Sequence, residues 1–77
     1  MAQIVTKKFK REQKSRKLHD IVCAEYDTFT VNGRRYIQID TYGSENRQMP
    51  NTPSQKIQFD EDFAKNLVSI FRAEGLI

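Results

Sequence analysis

The sequence predicts an α+β fold: an antiparallel sheet of three to four strands backed by one C-terminal amphipathic helix. Three stretches carry that expectation. Asn32-Gly33 separates two runs rich in β-branched and aromatic residues, and Asn-Gly is the strongest short-range hairpin mark because both residues accept positive φ and so match the strands' twist. Gln55-Lys56-Ile57-Gln58-Phe59 alternates polar and apolar, the period of a half-buried strand. Phe63, Leu67, Ile70 and Phe71 recur at helical spacing, with Ala64 and Val68 beside them. They form one apolar stripe that has to lie on the sheet.

The two-residue turn fixes the hairpin register. It sets Val31 opposite Arg34, Phe29 opposite Tyr36, Tyr26 opposite Ile39 and Cys23 opposite Tyr42. Two unlike faces follow. Val22, Ala24, Tyr26, Ile37 and Ile39 make the core face, while Phe29, Val31, Arg34, Tyr36, Gln38 and Tyr42 share the other with Glu25, Asp27 and Asp40. Rings beside cationic and amide groups suit single-strand binding, since bases stack on rings while cations follow phosphates. The bland alternative is a solvated sheet face. Glu25 opposite Asp40 would set like charges side by side, a cost that a β-bulge would relieve.

At the other end of the chain, Ala2 to Phe9 alternates in a short strand-like pattern. Lys10 to Lys17 contains neither Gly nor Pro and reads as a loop, a frayed helix or a strand ordered on binding. Charge is concentrated here. Residues 1–17 carry Lys7, Lys8, Lys10, Arg11, Lys14, Arg16 and Lys17 against Glu12, a net +6, and residues 18–77 carry −3. The sequence therefore divides into a basic N-terminal arm, 1–17, and a small sheet-plus-helix domain, 18–77. A polyanion is the arm's economical partner: nucleic acid first, then an acidic protein surface. A membrane is the poorest fit, because Phe9 and Leu18 alone do not make an apolar helical face.

Between Tyr42 and Gln55, a stretch dense in turn formers holds both prolines, and loops of that length are usually functional or mobile. Arg47, Gln48 and Asn51 within it are candidates to grip a nucleic-acid strand at the sheet's edge. Asp60-Glu61-Asp62 then places acids at the start of the helix, where they satisfy free amides and favour the dipole. Gly75 is the expected stop, with Leu76 and Ile77 free to fold back or extend a dimer contact.

Composition limits the remainder. A chain of 77 residues is one domain with a small core. A single cysteine, Cys23, forbids an internal disulfide, and one histidine leaves metal sites and cofactors unsupported. Self-association is the remaining remedy, so a homodimer is expected. With no long apolar run and no signal-peptide pattern after Met1, the default location is cytoplasmic. His19 and Cys23 do not make a thiol nucleophile and base, because four residues of extended chain hold them too far apart. The sequence contains no P-loop, paired-glycine fingerprint or metal-ligand cluster, which argues against an enzyme.

Tyr36-Ile37-Gln38-Ile39-Asp40-Thr41-Tyr42, the Pro-containing loop and Ser54 to Leu67 together resemble, over roughly residues 29–72, the positive cofactor four family of transcriptional coactivators and its small bacterial and phage relatives. Those proteins follow a Val-Asp-Ile-Arg-x-Tyr strand with a Pro-Gly-Lys-Lys-Gly loop, an Ile-x-Leu strand and a helix starting near Glu-x-Trp. Here Thr41 replaces the strand arginine, Phe63 replaces the tryptophan and Gln55-Lys56 supplies one lysine for two. The resemblance implies a curved sheet backed by the helix, a dimer, and single-stranded DNA or RNA laid across the sheet with little sequence preference. Tyr36, Tyr42, Lys56, Arg34 and Arg35 match contact positions.

Two functions of different class follow. One is a non-enzymatic single-stranded nucleic-acid binder, an accessory factor in transcription or replication. In it Phe29, Tyr36 and Tyr42 stack bases, and Arg34, Arg35, Arg47, Lys56 and the arm neutralise phosphates. The other is a small protein-interaction module that inhibits or helps assemble a larger partner, a reading favoured by the acidic body and acidic helix start.

Overall fold

The computed structural model describes residues 1–44 and 53–77. Strands β1 (Ala2–Ile4), β2 (Val22–Val31), β3 (Arg34–Ser44) and β4 (Gln55–Asp60) precede one helix, α1 (Glu61–Ala73). The fold is α+β, with an open four-stranded sheet in the order β1-β4-β3-β2. Pairing is antiparallel between β2 and β3 and between β3 and β4, whereas β1 runs parallel to β4. The sheet is therefore mixed rather than wholly antiparallel, and β1 at its edge belongs to the strand-like stretch at the start of the basic N-terminal segment.

Asn32 (φ 52°) and Gly33 (φ 79°) both adopt the left-handed conformation the hairpin requires. Val31 faces Arg34, Phe29 faces Tyr36 and Tyr26 faces Ile39, as the turn dictates. Nearer the open end, Val22 pairs with Ser44 while Ala24 pairs with Thr41. Cys23 thus stands against both Tyr42 and Gly43 in a bulge. That irregularity lies beyond Glu25 and Asp40, which remain directly opposed.

Asp60 starts α1 by accepting a hydrogen bond from the Phe63 amide at 3.0 Å, which satisfies one of the helix's free N–H groups. At the other end, Leu76 N–H donates to Phe71 O (2.8 Å) and Gly75 N–H to Arg72 O (3.2 Å), with Gly75 at φ +76°. This is a Schellman stop. Among the described residues, no helix is long and apolar enough to cross a membrane.

The core lies between α1 and strands β3 and β4. Phe63 is 1 % exposed and packs edge-on against Phe59 and against Phe9, with ring centroids 5.0 and 4.8 Å apart. Phe9 reaches α1 because a 3₁₀ turn at Thr6–Lys8 ends β1, where the alternation of residues 2–9 predicted a continuing strand. Residues 9–21 then cross, without regular secondary structure, to the start of β2. They run beside α1, where Lys10, Arg11 and Arg16 face the flank formed by Asn66, Ile70 and Ala73, and Arg11 pairs with Glu74.

Candidate nucleic-acid interface

Alternation along β2, β3 and β4 assigns the residues of the face turned away from α1. Phe29, Tyr36 and Asp60 form one row, Asp27, Gln38 and Gln58 the next, and Glu25, Asp40 and Lys56 a third. Phe29 and Tyr36 are half-buried and lie against each other, their centroids 5.5 Å apart and their planes 16° from parallel. Beside them Arg34 forks between Asp60 Oδ2 at 3.1 Å and Asp62 Oδ2 at 3.0 Å. The hydrogen bond and charge of Asp62, with the charge of Asp60, raise the guanidinium pKa further above its ordinary value. A guanidinium held by two carboxylates has little left with which to attract a phosphate.

A hydrogen-bonded line crosses the next rows. Gln58 Nε2 donates to Gln38 Oε1 (2.7 Å) and Gln38 Nε2 donates to Asp40 Oδ1 (2.8 Å). This bond and the neighbouring Lys56 offset the opposition of Asp40 to Glu25. Glu25 in turn accepts from the Tyr42 hydroxyl at 3.3 Å. Tyr42 is only 7 % exposed, and burial, then the Glu25 charge, push its phenol above the ordinary range. Phe29 and Tyr36 are thus the rings a base can reach. Glu25, Tyr26, Asp27, Phe29, Gln38 and Asp40 line a shallow depression beside β2. By register the face carries Glu25, Asp27, Asp40 and Asp60 against Arg34 and Lys56, so a phosphate path across its centre is disfavoured, while the ring pair stands at its end beside the turn.

The other expected cations lie elsewhere. Arg35 pairs with Thr30 and so points to the α1 side, where it lines a groove with Ile37, Glu61 and Ala64. Lys7, Lys8, Lys10, Arg11, Lys14, Arg16 and Lys17 are all exposed on the crossover and the turn before it. Lys14 and Arg16 share Glu12, and Arg11 is held by Glu74. Among the described residues, Lys7, Lys8, Lys10 and Lys17 form no ion pair. Arg47, Gln48 and Asn51 lie outside the described residues. Cys23 is half-buried in the bulge and His19 is exposed on the crossover.

The structure therefore gathers Phe29, Arg34, Tyr36, Tyr42 and Lys56 on one face and leaves the basic run on the other side of the sheet. The role of Asp62 as a second clamp on Arg34 was not evident from sequence, where it reads only as a helix-start acid. The contact of Phe9 with Phe63 was likewise hidden, because the alternation of Phe9 with Val5 and Lys7 suggested a strand position rather than a ring laid on α1. No family model, curated protein or solved structure matches the chain.

Proposed function

We propose that the protein is a non-enzymatic binder of single-stranded nucleic acid whose affinity comes mainly from the basic crossover. One observation carries this reading: seven cations fall within residues 7–17, all solvent-exposed, and four of them are free of ion pairs among the described residues. Such a run is a counterion-release surface, with the steep salt dependence that follows. The ring pair supplies the second contact. Lys7 and Lys8 follow β1, whose Ile4 lies beside Phe59, and Tyr36 pairs with the adjacent Asp60. Lys7, Lys8 and the ring pair are therefore at the same end of the sheet but on opposite faces, with β4 between β1 and the strand of Tyr36. A path from the crossover around that end to Phe29 and Tyr36 suits a flexible single strand and not a stiff duplex.

Titration of fluorescent single-stranded and duplex DNA and RNA at two salt concentrations tests the reading. The expected result is micromolar or tighter single-strand binding that weakens with salt. Changing Lys7, Lys8, Lys10 and Lys17 to Gln should flatten the log K against log salt slope by about 0.7 for each phosphate that is no longer neutralised. Tyr36→Ala should cost about 1–3 kcal/mol of binding if a base stacks there. No binding at low salt overturns the proposal.

The acidic open face favours a second reading, a protein-interaction module that presents Glu25, Asp27 and Asp40 to a basic partner. Co-purification of a partner that is lost on Asp27→Lys, with oligonucleotide binding absent, would select it.

A further inference from the structure

We infer that β2 is a docking edge for an extended peptide that alternates basic with apolar residues and joins the sheet as a fifth strand. The inference rests on the second reading above, a basic protein partner, and supplies its mode of binding. The order β1-β4-β3-β2 leaves two edges. β1 offers three residues before the 3₁₀ turn ends it, whereas β2 offers ten, Val22–Val31. Long edges are ordinarily blunted by Lys, Pro, a bulge or a covering segment. β2 contains neither Lys nor Pro, its bulge lies at the end near Cys23, and all its residues but Cys23 and Phe29 are exposed.

The backbone of this edge is set to accept a partner. The pair flanking a two-residue turn exchanges both ladder bonds, and successive pairs then alternate between bonded and unbonded. Val31, Phe29, Asp27 and Glu25 therefore turn their backbone groups to β3, while Thr30, Thr28 and Tyr26 turn theirs outward. The Thr28 amide agrees, since it donates to the Asp27 carboxylate at 2.8 Å. One outward amide is thus masked by a side chain. Among the described residues, no side chain takes the Tyr26 or Thr30 amide.

The side chains along the edge define the guest. Glu25 and Asp27 stand on the open face and Tyr26 on the α1 side, yet all three line one depression with Phe29, Gln38 and Asp40. A hollow that reaches residues of both faces wraps the edge, where a fifth strand would lie. Among the described residues, neither Glu25 nor Asp27 pairs with a cation. A strand laid there with Lys or Arg at alternate positions sets its cations beside Glu25 and Asp27 and its apolar residues beside the Tyr26 ring, which is 74 % exposed. Its cation draws the Asp27 carboxylate away from Thr28 and releases that amide to the new ladder. A phosphate strand is repelled at this edge. A second copy fits poorly, because β2 paired antiparallel with itself about Tyr26 would set Glu25 against Asp27 twice.

Fluorescence titrations with a short labelled peptide alternating Lys with Val, and with two forms of it N-methylated on one or the other set of alternate amides, test the inference. Only one set of amides can face β2, so methylation of one set should abolish binding and methylation of the other should spare it. The unmodified peptide should slow hydrogen exchange at Tyr26, Thr28 and Thr30. Asp27→Lys should weaken binding about tenfold or more. The double variant Glu25→Lys, Asp27→Lys should instead take a peptide alternating Glu with Val, a gain that a misfolded chain would not show. Binding indifferent to which amides are methylated overturns the added strand and leaves the second reading, a basic partner held by charge alone. No binding of the unmodified peptide at about 1 mM and low salt also overturns the inference, while co-purification of a partner would still uphold that reading. Protection of the same three amides in the chain alone, together with a doubled mass, overturns it as well, because another copy then fills the edge.

Discussion

The two faces of the sheet are built from alternate residues of the same strands, yet they are held by different chemistry. On the α1 side, Phe59 and Phe63 are held by burial, with Phe9 edge-on against Phe63 at the margin of the core. On the open side, Gln58, Gln38 and Asp40 are joined by hydrogen bonds, and Tyr42 by another to Glu25. Burial of a ring is worth several kcal/mol, whereas a half-exposed hydrogen bond nets about 1 kcal/mol because water competes for both partners. Stability is therefore concentrated on one face, and the other is free to vary its surface chemistry at little cost to the fold.

The strongest way to break that comparison is a pair of truncations. Phe63→Ala removes the one ring that touches both Phe9 and Phe59 and should cost about 3–5 kcal/mol. Gln38→Ala removes the centre of the polar line and should cost about 1 kcal/mol. Urea titrations of both variants measure the contrast, and comparable losses would show that the open face is a second core.

Asp60 is where the two faces meet. Its Oδ1 caps α1 through the Phe63 amide and its Oδ2 holds Arg34 on the open side. Asp60→Ala should cost about 1 kcal/mol, most of it through loss of the cap. Asp60→Asn keeps a capping oxygen and leaves Asp62 to hold Arg34, so it should recover most of that stability. If Asn proves as damaging as Ala, the charge on Arg34 matters more than the cap, and the open face contributes more electrostatic stability than exposed pairs usually do.

What was legible in the sequence follows the same division. The hairpin register could be read because Asn32 and Gly33 fix it locally, and the start of α1 because Asp60 and a helical stripe adjoin. The 3₁₀ turn at Thr6–Lys8 was not legible, since nothing in Val5 to Phe9 interrupts the alternation, and with it went the parallel pairing of β1 and the contact of Phe9 with Phe63. The clamp on Arg34 depends on the pairing of β3 with β4, a register that no two-residue turn in the sequence fixes. Phe29 and Tyr36 were placed correctly together because they lie near the turn. Arg35 lies on the side opposite Arg34 by simple alternation, since neighbours in a strand face opposite sides.

The smallest expected effect probes whether the open face is wholly solvent-like. Burial and Glu25 raise the phenol pKa of Tyr42 in the folded chain, so the folded state favours the protonated phenol relative to the unfolded chain. Its contribution to stability is complete below the unfolded tyrosine value of about 10 and is lost as pH rises through the higher folded value. Tyr42→Phe keeps the buried ring, removes the bond to Glu25 and abolishes that titration. At neutral pH the variant should lie within about 1 kcal/mol of the parent, whereas above pH of about 10 its urea midpoint should fall less steeply with alkali. If both proteins lose stability in parallel across that range, Tyr42 is hydrated like a surface phenol, and the open face has no interior.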